Sequence, residues 1–136
     1  MAADKTQVSV VIILREHDDN IEVLLERRGA EPKKHQWAFP GGKLELNESK
    51  EEAAIREIKE ETNLDISELK KVSKIKSEEK VVNMFCTLYT GPDQTKAGSD
   101  AEYLKWINIK DIPDLAWDDE KYLKKAIRKI FKNKDE

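Results

Sequence analysis

Residues 49–63 have the pattern of one capped amphipathic helix, and strand-like runs lie on both sides of it. Ser49 and Glu52 form an S-x-x-E capping box, which satisfies the free backbone N–H groups at the start of a helix. Asn63 stands where such a helix ends, and asparagine is second only to glycine in adopting the left-handed conformation required there. The residues predicted to pack on a sheet recur at three- and four-residue spacing: Ile55, Ile58 and Thr62.

The segments on either side of this helix predict a sheet and a second helix. Strands are predicted for apolar or alternating runs at 8–15, 21–27, 71–76, 81–90 and 102–109. Residues 37–42 are predicted as a structured turn. A C-terminal amphipathic helix is predicted from Asp118 or Asp119 to near Lys132. The order β-β-α-β-β-β-α predicts the α+β class, an α/β/α sandwich in which helices flank a mixed sheet.

Length and charge narrow the range of partners. The chain has 136 residues, which fits a single domain over residues 1–136. Apolar residues make up 38% and charged residues 39%, with a formal net charge of −3. Because charges of both signs nearly cancel, the whole molecule creates no strong field toward nucleic acid or an anionic membrane. We therefore expect neither as a partner.

Cysteine content and hydropathy indicate the compartment. Cys86 is the only cysteine, which excludes an internal disulfide and a multi-cysteine zinc site. It lies in an apolar run, so a buried core thiol is predicted rather than a nucleophile. No apolar run approaches the about 20 residues that span a bilayer. A soluble cytoplasmic protein is the default expectation, and the oligomeric state stays open between a monomer and a homodimer.

Three glutamates of the predicted helix share one face. Glu57, Glu60 and Glu61 lie at positions i, i+3 and i+4, so their carboxylates fall within roughly 100° of arc. Like charges this close repel one another unless a divalent cation neutralises them. The alternative is an ordinary solvated face, which is the usual meaning of a run of charges.

The residues around this cluster resemble a known motif. From Gly42 to Leu64 the sequence is G-x5-E-x7-R-E-I-x-E-E-x-N-L, with Glu48 and Arg56 at the isolated acidic and basic positions. This resembles the Nudix box, G-x5-E-x7-R-E-U-x-E-E-x-G-U, in which U is a bulky aliphatic residue. One defined position differs, since Asn63 replaces the second glycine. The resemblance extends more loosely over about residues 8–131, and it implies the Nudix fold with the box as a loop-helix-loop.

The resemblance also implies roles for individual residues. The implied metal ligands are Glu57, Glu60, Glu61 and the backbone carbonyl of Gly41. Oxygen ligands of this kind suit Mg²⁺, or Mn²⁺ as an alternative. Glu48 and Arg56 resemble the pair that braces the loop of the box against its helix. The general base is Glu57, or else Asp100 or Glu102, and each of the last two is equally well explained as a turn or strand-edge carboxylate.

The implied reaction is metal-dependent hydrolysis of a pyrophosphate linkage in a nucleoside diphosphate derivative. The residues beside the box are most similar to the MutT-like branch, which hydrolyses nucleoside triphosphates, including oxidised ones, to the monophosphate and pyrophosphate. In that branch Arg27 would contact a phosphate and Phe39 would line the base pocket. Core packing explains Phe39 equally well. Asp118 and Asp119 would read the base, or would instead cap the last helix.

Two alternative functions remain at this point. One is a pyrophosphatase for ADP-ribose or another nucleoside diphosphate sugar, although residues 77–80 lack the proline typical of the family's ADP-ribose pyrophosphatases. The other is a Nudix-fold module that binds a nucleotide or RNA without catalysis. The complete set of box glutamates argues against a catalytically inactive module, because it has no need of three crowded carboxylates.

Overall fold

A computed structural model describes residues 5–98 and 101–131, apart from the side chains of residues 101 and 102. The strands are β1 (Thr6–His17), β2 (Asn20–Arg28), β3 (Trp37–Ala38), β4 (Gly41–Lys43), β5 (Lys70–Lys76), β6 (Lys80–Leu88) and β7 (Ala101–Asn108). The helices are α1 (Lys50–Thr62) and α2 (Glu120–Phe131), and short 3-10 turns cover Ile109–Asp111 and Ala116–Asp118. No helix in these ranges is long and apolar enough to cross a membrane.

The strands form one mixed sheet, as the sequence predicts. The central order is β3-β2-β1-β6-β5, while β4 also pairs with β1 and β7 also pairs with β2. The β1–β6 pair is parallel and the other pairs are antiparallel. Since β1 contacts β2, β4 and β6, the backbone of the predicted box begins directly against the middle of the sheet.

Successive residues of β1 face opposite helices, which confirms the three-layer sandwich. Val11 and Ile13 pack with Ala54 and Ile58 of α1, whereas Ile12 and Leu14 pack on the α2 side. The period of two along a strand puts these side chains on opposite faces. On the α2 side the core also contains Leu14, Met84, Cys86, Leu123 and Ala126.

The predicted core thiol is confirmed. Cys86 is fully buried, and this burial raises the pKa of its thiol above the usual value, even though Lys129 and Lys70 act in the opposite direction. A thiol whose charged form is disfavoured is a poor nucleophile.

Two local predictions are wrong. Residues 37–42 form two short strands around Pro40 rather than a turn, because the backbone there pairs with β2 and β1. Ile55 is 37% exposed, and the sheet-facing side of α1 is formed instead by small and polar residues together with Ile58: Ala53, Ala54, Glu61 and Thr62. The last helix begins at Glu120, within one residue of the predicted start at Asp119, while Asp118 lies outside it because its φ angle of 54° is left-handed. The predicted main strands agree with the structure to within two residues.

Candidate functional site

The site begins where β4, which pairs antiparallel with β1, meets α1. Gly41 pairs with Val10, and Gly42 pairs with Ser9. A Cβ atom on Gly41 would overlap the backbone of these β1 residues, whereas a Cβ atom on Gly42 would overlap the carboxylate of Glu57. Two glycines are therefore required by close approach, and the second one lets a helix carboxylate reach the main chain of β4.

Local interactions set both ends of α1. The capping box is present in full, with the Glu52 backbone N–H donating to Ser49 Oγ at 3.0 Å and the Ser49 N–H donating to Glu52 Oε1 at 2.8 Å. The buried hydroxyl of Ser9 donates to the carbonyl of Lys50 at 2.8 Å, which ties the first turn to β1. At the other end Asn63 is left-handed, with φ 67°, as predicted. The register of the helix against the sheet follows from these contacts.

Arg56 donates hydrogen bonds to three glutamates of the site and to one backbone carbonyl. Its Nε and Nη2 atoms donate to the two carboxylate oxygens of Glu48 at 2.7 and 2.9 Å, a bidentate pair, and Nη2 also donates to the carbonyl of Lys43 at 3.0 Å. Its Nη1 atom donates to Glu57 at 2.9 Å and to Glu60 at 3.0 Å. One guanidinium group thus joins the loop of residues 43–48 to the acidic face of α1.

These contacts shift the pKa values of both members of the bidentate pair. The hydrogen bonds from Arg56, followed by the backbone N–H of Glu45, lower the pKa of Glu48 to about 2. The hydrogen bonds to Glu48 raise the pKa of Arg56 further above its usual value, although burial acts against this. Both groups are therefore charged over the whole physiological pH range.

The three glutamates of the acidic face differ in exposure. The side chain of Glu57 is 14% exposed and that of Glu60 is 54% exposed, while Glu61 is buried, at 7%. Within the described ranges, no three acidic, cysteine or histidine side chains are arranged to hold a metal ion together. The guanidinium of Arg56 explains this arrangement, because it draws Glu57 and Glu60 toward itself. The donor set still fits a hard divalent cation, since every member offers carboxylate oxygens at adjacent turns of one helix.

Arg27 and Phe39 lie in different environments. Arg27 is half-buried on β2, donates from Nε to the carbonyl of His35 at 3.1 Å, and has its guanidinium 5.6 Å from the ring centre of Tyr103. Phe39 is 6% exposed and packs in the α2-side core with residues such as Leu25. Core packing is sufficient to explain a phenylalanine at position 39. Arg27, in contrast, holds a positive charge where β2 pairs with β3.

The segment before α2 runs beside β3, where Leu115 forms a parallel bridge with Trp37. Asp118 is exposed, and Asp119 is half-buried. The Asp119 carbonyl accepts the first α2 hydrogen bonds, so this residue occupies the N-cap position, but its carboxylate accepts no hydrogen bond from the described residues. Burial raises the pKa of Asp119 to about 6, with a further contribution from the charges of Glu120 and Asp118 against that of Lys121.

Two predicted residues cannot be placed. Asp100 and the side chain of Glu102 lie outside the described residues.

Sequence reasoning also missed a carboxylate. Glu26 is buried, at 6% exposed, and the period of β2 puts it on the same sheet face as Leu24, which packs on the α1 side. A charged residue directly after the apolar run of residues 23–25 was the available signal.

The chain is similar to known proteins over nearly its whole length. The NUDIX domain family matches residues 5–129. An ADP-ribose pyrophosphatase of Methanocaldococcus jannaschii is 35% identical over 113 residues, which cover 79% of this chain and 66% of that protein. An 8-oxo-dGTP diphosphatase of Escherichia coli is 38% identical over 61 residues, covering 44% of this chain and 45% of that protein. The chain thus spans less than two thirds of the length of either relative.

The fold is shared with solved structures. A crystal structure of a MutT/nudix family protein from Enterococcus faecalis superposes with a TM-score of 0.85 at 22% identity, and the match covers 97% of this chain and 64% of that chain. At this level of identity the match establishes the fold alone.

Proposed function

Because this chain belongs to the NUDIX domain family, we propose that it hydrolyses the pyrophosphate linkage of a nucleoside diphosphate derivative with the help of a divalent cation. The observation that carries the proposal is the contact of Glu57 with both Arg56 and the backbone at Gly42. This contact places an anionic oxygen at the junction of β4 and α1, where Glu60 and Glu61 follow within one turn. A solvated surface helix would not need a glycine opposite its glutamate.

The proposed metal ligands are the carboxylates of Glu57, Glu60 and Glu61 with the carbonyl of Gly41, and the proposed ion is Mg²⁺ or Mn²⁺. When bound, such an ion neutralises phosphate charge and supplies an activated water. Glu48 holds Arg56 by its bidentate bond, and Arg56 in turn orients Glu57 and Glu60. Glu48 and Arg56 thereby act as positioning residues. Glu57 is the proposed general base, and Asp100 and Glu102 are the alternatives.

For the substrate we favour a nucleoside triphosphate of the kind hydrolysed in the MutT-like branch, which includes oxidised nucleotides. The E. coli relative is named for 8-oxo-dGTP, which has this chemistry. Asp119 supports the proposal, because a half-buried carboxyl whose pKa is raised to about 6 exists partly in the protonated form near neutral pH. A protonated carboxyl can donate a hydrogen bond to a purine edge, and its ionised form can accept one. Arg27 is the proposed phosphate contact.

A second candidate substrate is ADP-ribose, and it is favoured by the name of the M. jannaschii relative. Both candidates require the same acidic face, since both contain the pyrophosphate linkage. They differ in the pocket, and the products distinguish them.

The test is a nucleotide panel with Mg²⁺ under initial-rate conditions, with separation of products. We expect a triphosphate to give the monophosphate and pyrophosphate, whereas AMP and ribose 5-phosphate from ADP-ribose would assign the second candidate. Glu60→Gln should lower kcat by about 100-fold or more at saturating Mg²⁺ with an unchanged melting temperature. Glu51→Gln, an exposed glutamate on the first turn of α1, is the matched control and should retain activity. Tight nucleotide binding without turnover of any substrate would instead support a catalytically inactive module.

A further inference from the structure

A cavity of about 280 Å³ lies beside the edge strand β5 and shares no lining residue with the acidic face of α1. Its polar lining consists of side chains from both helices and from β5 and β6: Lys50, Lys71, Ser73, Lys74, Asn83 and Lys129. We call this cavity the lysine pocket. Four of these six residues carry a positive charge, although the molecule as a whole has a net charge of −3.

A β-bulge brings two lysines of β5, Lys71 and Lys74, to the same face of the sheet. The pairing with β6 shifts between Lys71 and Ser73, so that Lys71 lies opposite Phe85 and Lys74 lies opposite Asn83. Phe85 packs on the α1 side of the sheet, and in a paired ladder opposite residues share a face. In a regular strand, residues 71 and 74 would point to opposite faces, and the extra residue in the bulge places both of them on the α1 side. Lys50, the first residue of α1, lines the pocket from that side.

None of the four ammonium groups forms an ion pair with a carboxylate of the described residues. Elsewhere on the molecule, basic side chains such as Arg15 and Lys59 form ion pairs with acidic neighbours. In the ranges that the structure describes, none of the four pocket lysines does so. Other lysines of the described residues, such as Lys105 and Lys124, also form no ion pair, so the pocket is distinguished by the gathering of four lysines around one cavity.

Mutual repulsion lowers the pKa of Lys50. The charge of Lys71 is the largest cause that lowers the pKa of Lys50, followed by burial and by the charge of Lys74, and Glu51 acts weakly in the opposite direction. Crowded like charges of this kind are relieved when an anion binds between them.

We propose that the lysine pocket binds a small anion that carries one or two phosphate groups. Lysine ammonium groups bind phosphate as compact point charges from several directions. Lys50, Lys71 and Lys74 offer three such charges on the α1 side, whereas Ser73, opposite Met84, and Lys129 of α2 line the pocket from the other side of the sheet. The volume of about 280 Å³ is just below the range of about 300–1,000 Å³ typical of pockets for larger organic ligands, so a compact oxyanion fits better than a whole nucleotide. The site is separate from the acidic face of α1, and its occupancy does not depend on the hydrolytic activity.

The test measures inorganic pyrophosphate binding by calorimetry in the presence of EDTA and at constant ionic strength. Without divalent cations the acidic face repels the anion, so the lysine pocket dominates the signal. Lys71→Ala/Lys74→Ala should weaken binding by about tenfold or more. Lys124→Ala/Lys125→Ala removes two exposed lysines of α2 that do not line the pocket and should leave the Kd within about twofold of the wild-type value.

A further variant distinguishes an electrostatic site from a folding defect. Lys71→Arg/Lys74→Arg keeps the charge and should retain most of the binding. The proposal is overturned if wild-type protein shows no binding at millimolar pyrophosphate, or if the two alanine pairs weaken binding equally.

Discussion

At the scale of single residues, Gly41 and Gly42 stand side by side in β4, but a methyl group would meet different atoms at each. At Gly41 the obstacles are the Ser9 carbonyl oxygen and the Val10 Cα, which belong to the backbone of the central strand and cannot move independently. At Gly42 the obstacle is the end of the Glu57 side chain, which can rotate away. The first glycine serves the fold, and the second serves the position of a carboxylate.

This difference predicts opposite phenotypes for two otherwise similar substitutions. Gly41→Ala should lower the free energy of unfolding by about 1–3 kcal/mol, because the backbone must shift to accept the methyl group. Gly42→Ala should change stability little but lower kcat by about tenfold or more, because Glu57 is displaced from its position. Thermal melts and initial rates on the same preparations check both. Equal losses of stability for the two variants would contradict the assignment.

At the scale of elements, α1 is fastened at its C-terminal end by a residue that departs from the box pattern. The Asn63 side chain donates from Nδ2 to the carbonyl of Gln94 at 2.9 Å, and Gln94 donates from Nε2 to the carbonyl of Asn63 at 2.7 Å. Nearby, the Lys96 and Gly98 backbone N–H groups donate to the carbonyls of Thr62 and Glu61. A glycine at position 63 would keep the left-handed backbone and would lose the first of these bonds.

We therefore expect Asn63 and Gln94 to be coupled. Asn63→Gly and Gln94→Ala should each lower stability by about 1 kcal/mol. The double variant should be less destabilised than the sum of the two, because loss of either bond loosens the contact between the two segments and so weakens the other bond. Gln36→Ala, an exposed glutamine whose side chain has no such partner among the described residues, is the control and should be neutral. Strictly additive losses in chemical denaturation would show that the two amides act independently.

At the scale of the whole molecule, two carboxyl groups act on stability in different pH ranges. Glu48 has a lowered pKa of about 2, so its stabilising contribution is present above its ordinary value of 4.5 and is lost as the pH falls toward 2. Asp119 has a raised pKa of about 6, so the folded state holds a proton that the unfolded state releases near pH 3.8. Ionisation of Asp119 thus reduces stability as the pH rises from about 4 to 6.

Asp119→Asn should remove this reduction. The melting temperature of the variant relative to the wild type should rise between pH 4 and pH 6.5 and stay level above that range. After discounting for partial solvent exposure, the expected gain is about 1 kcal/mol at neutral pH. Asp118→Asn, at the exposed neighbouring position, is the matched control. A pH-independent difference between Asp119→Asn and the wild type would contradict the buried-carboxyl explanation.

The sequence by itself determined the elements that depend on neighbouring residues. Helix α1, its capping box and its left-handed Asn63 could be predicted, because caps and helical spacing act over three or four residues. The main strands and the position of three glutamates on adjacent turns followed from the same short-range rules. The family of the chain was also readable, since the box lies within one continuous segment.

Only the tertiary structure decided what depends on contacts between distant segments. The short strands β3 and β4 exist because β2 and β1 offer partners for their backbone, and nothing in residues 37–43 indicates this locally. The exposure of Ile55 and the burial of Glu26 follow from where the sheet meets α1. The lysine pocket requires a bulge in β5 and the approach of both helices. Side chains far apart in sequence interact only after the chain has folded, so their common surroundings cannot be read from local pattern.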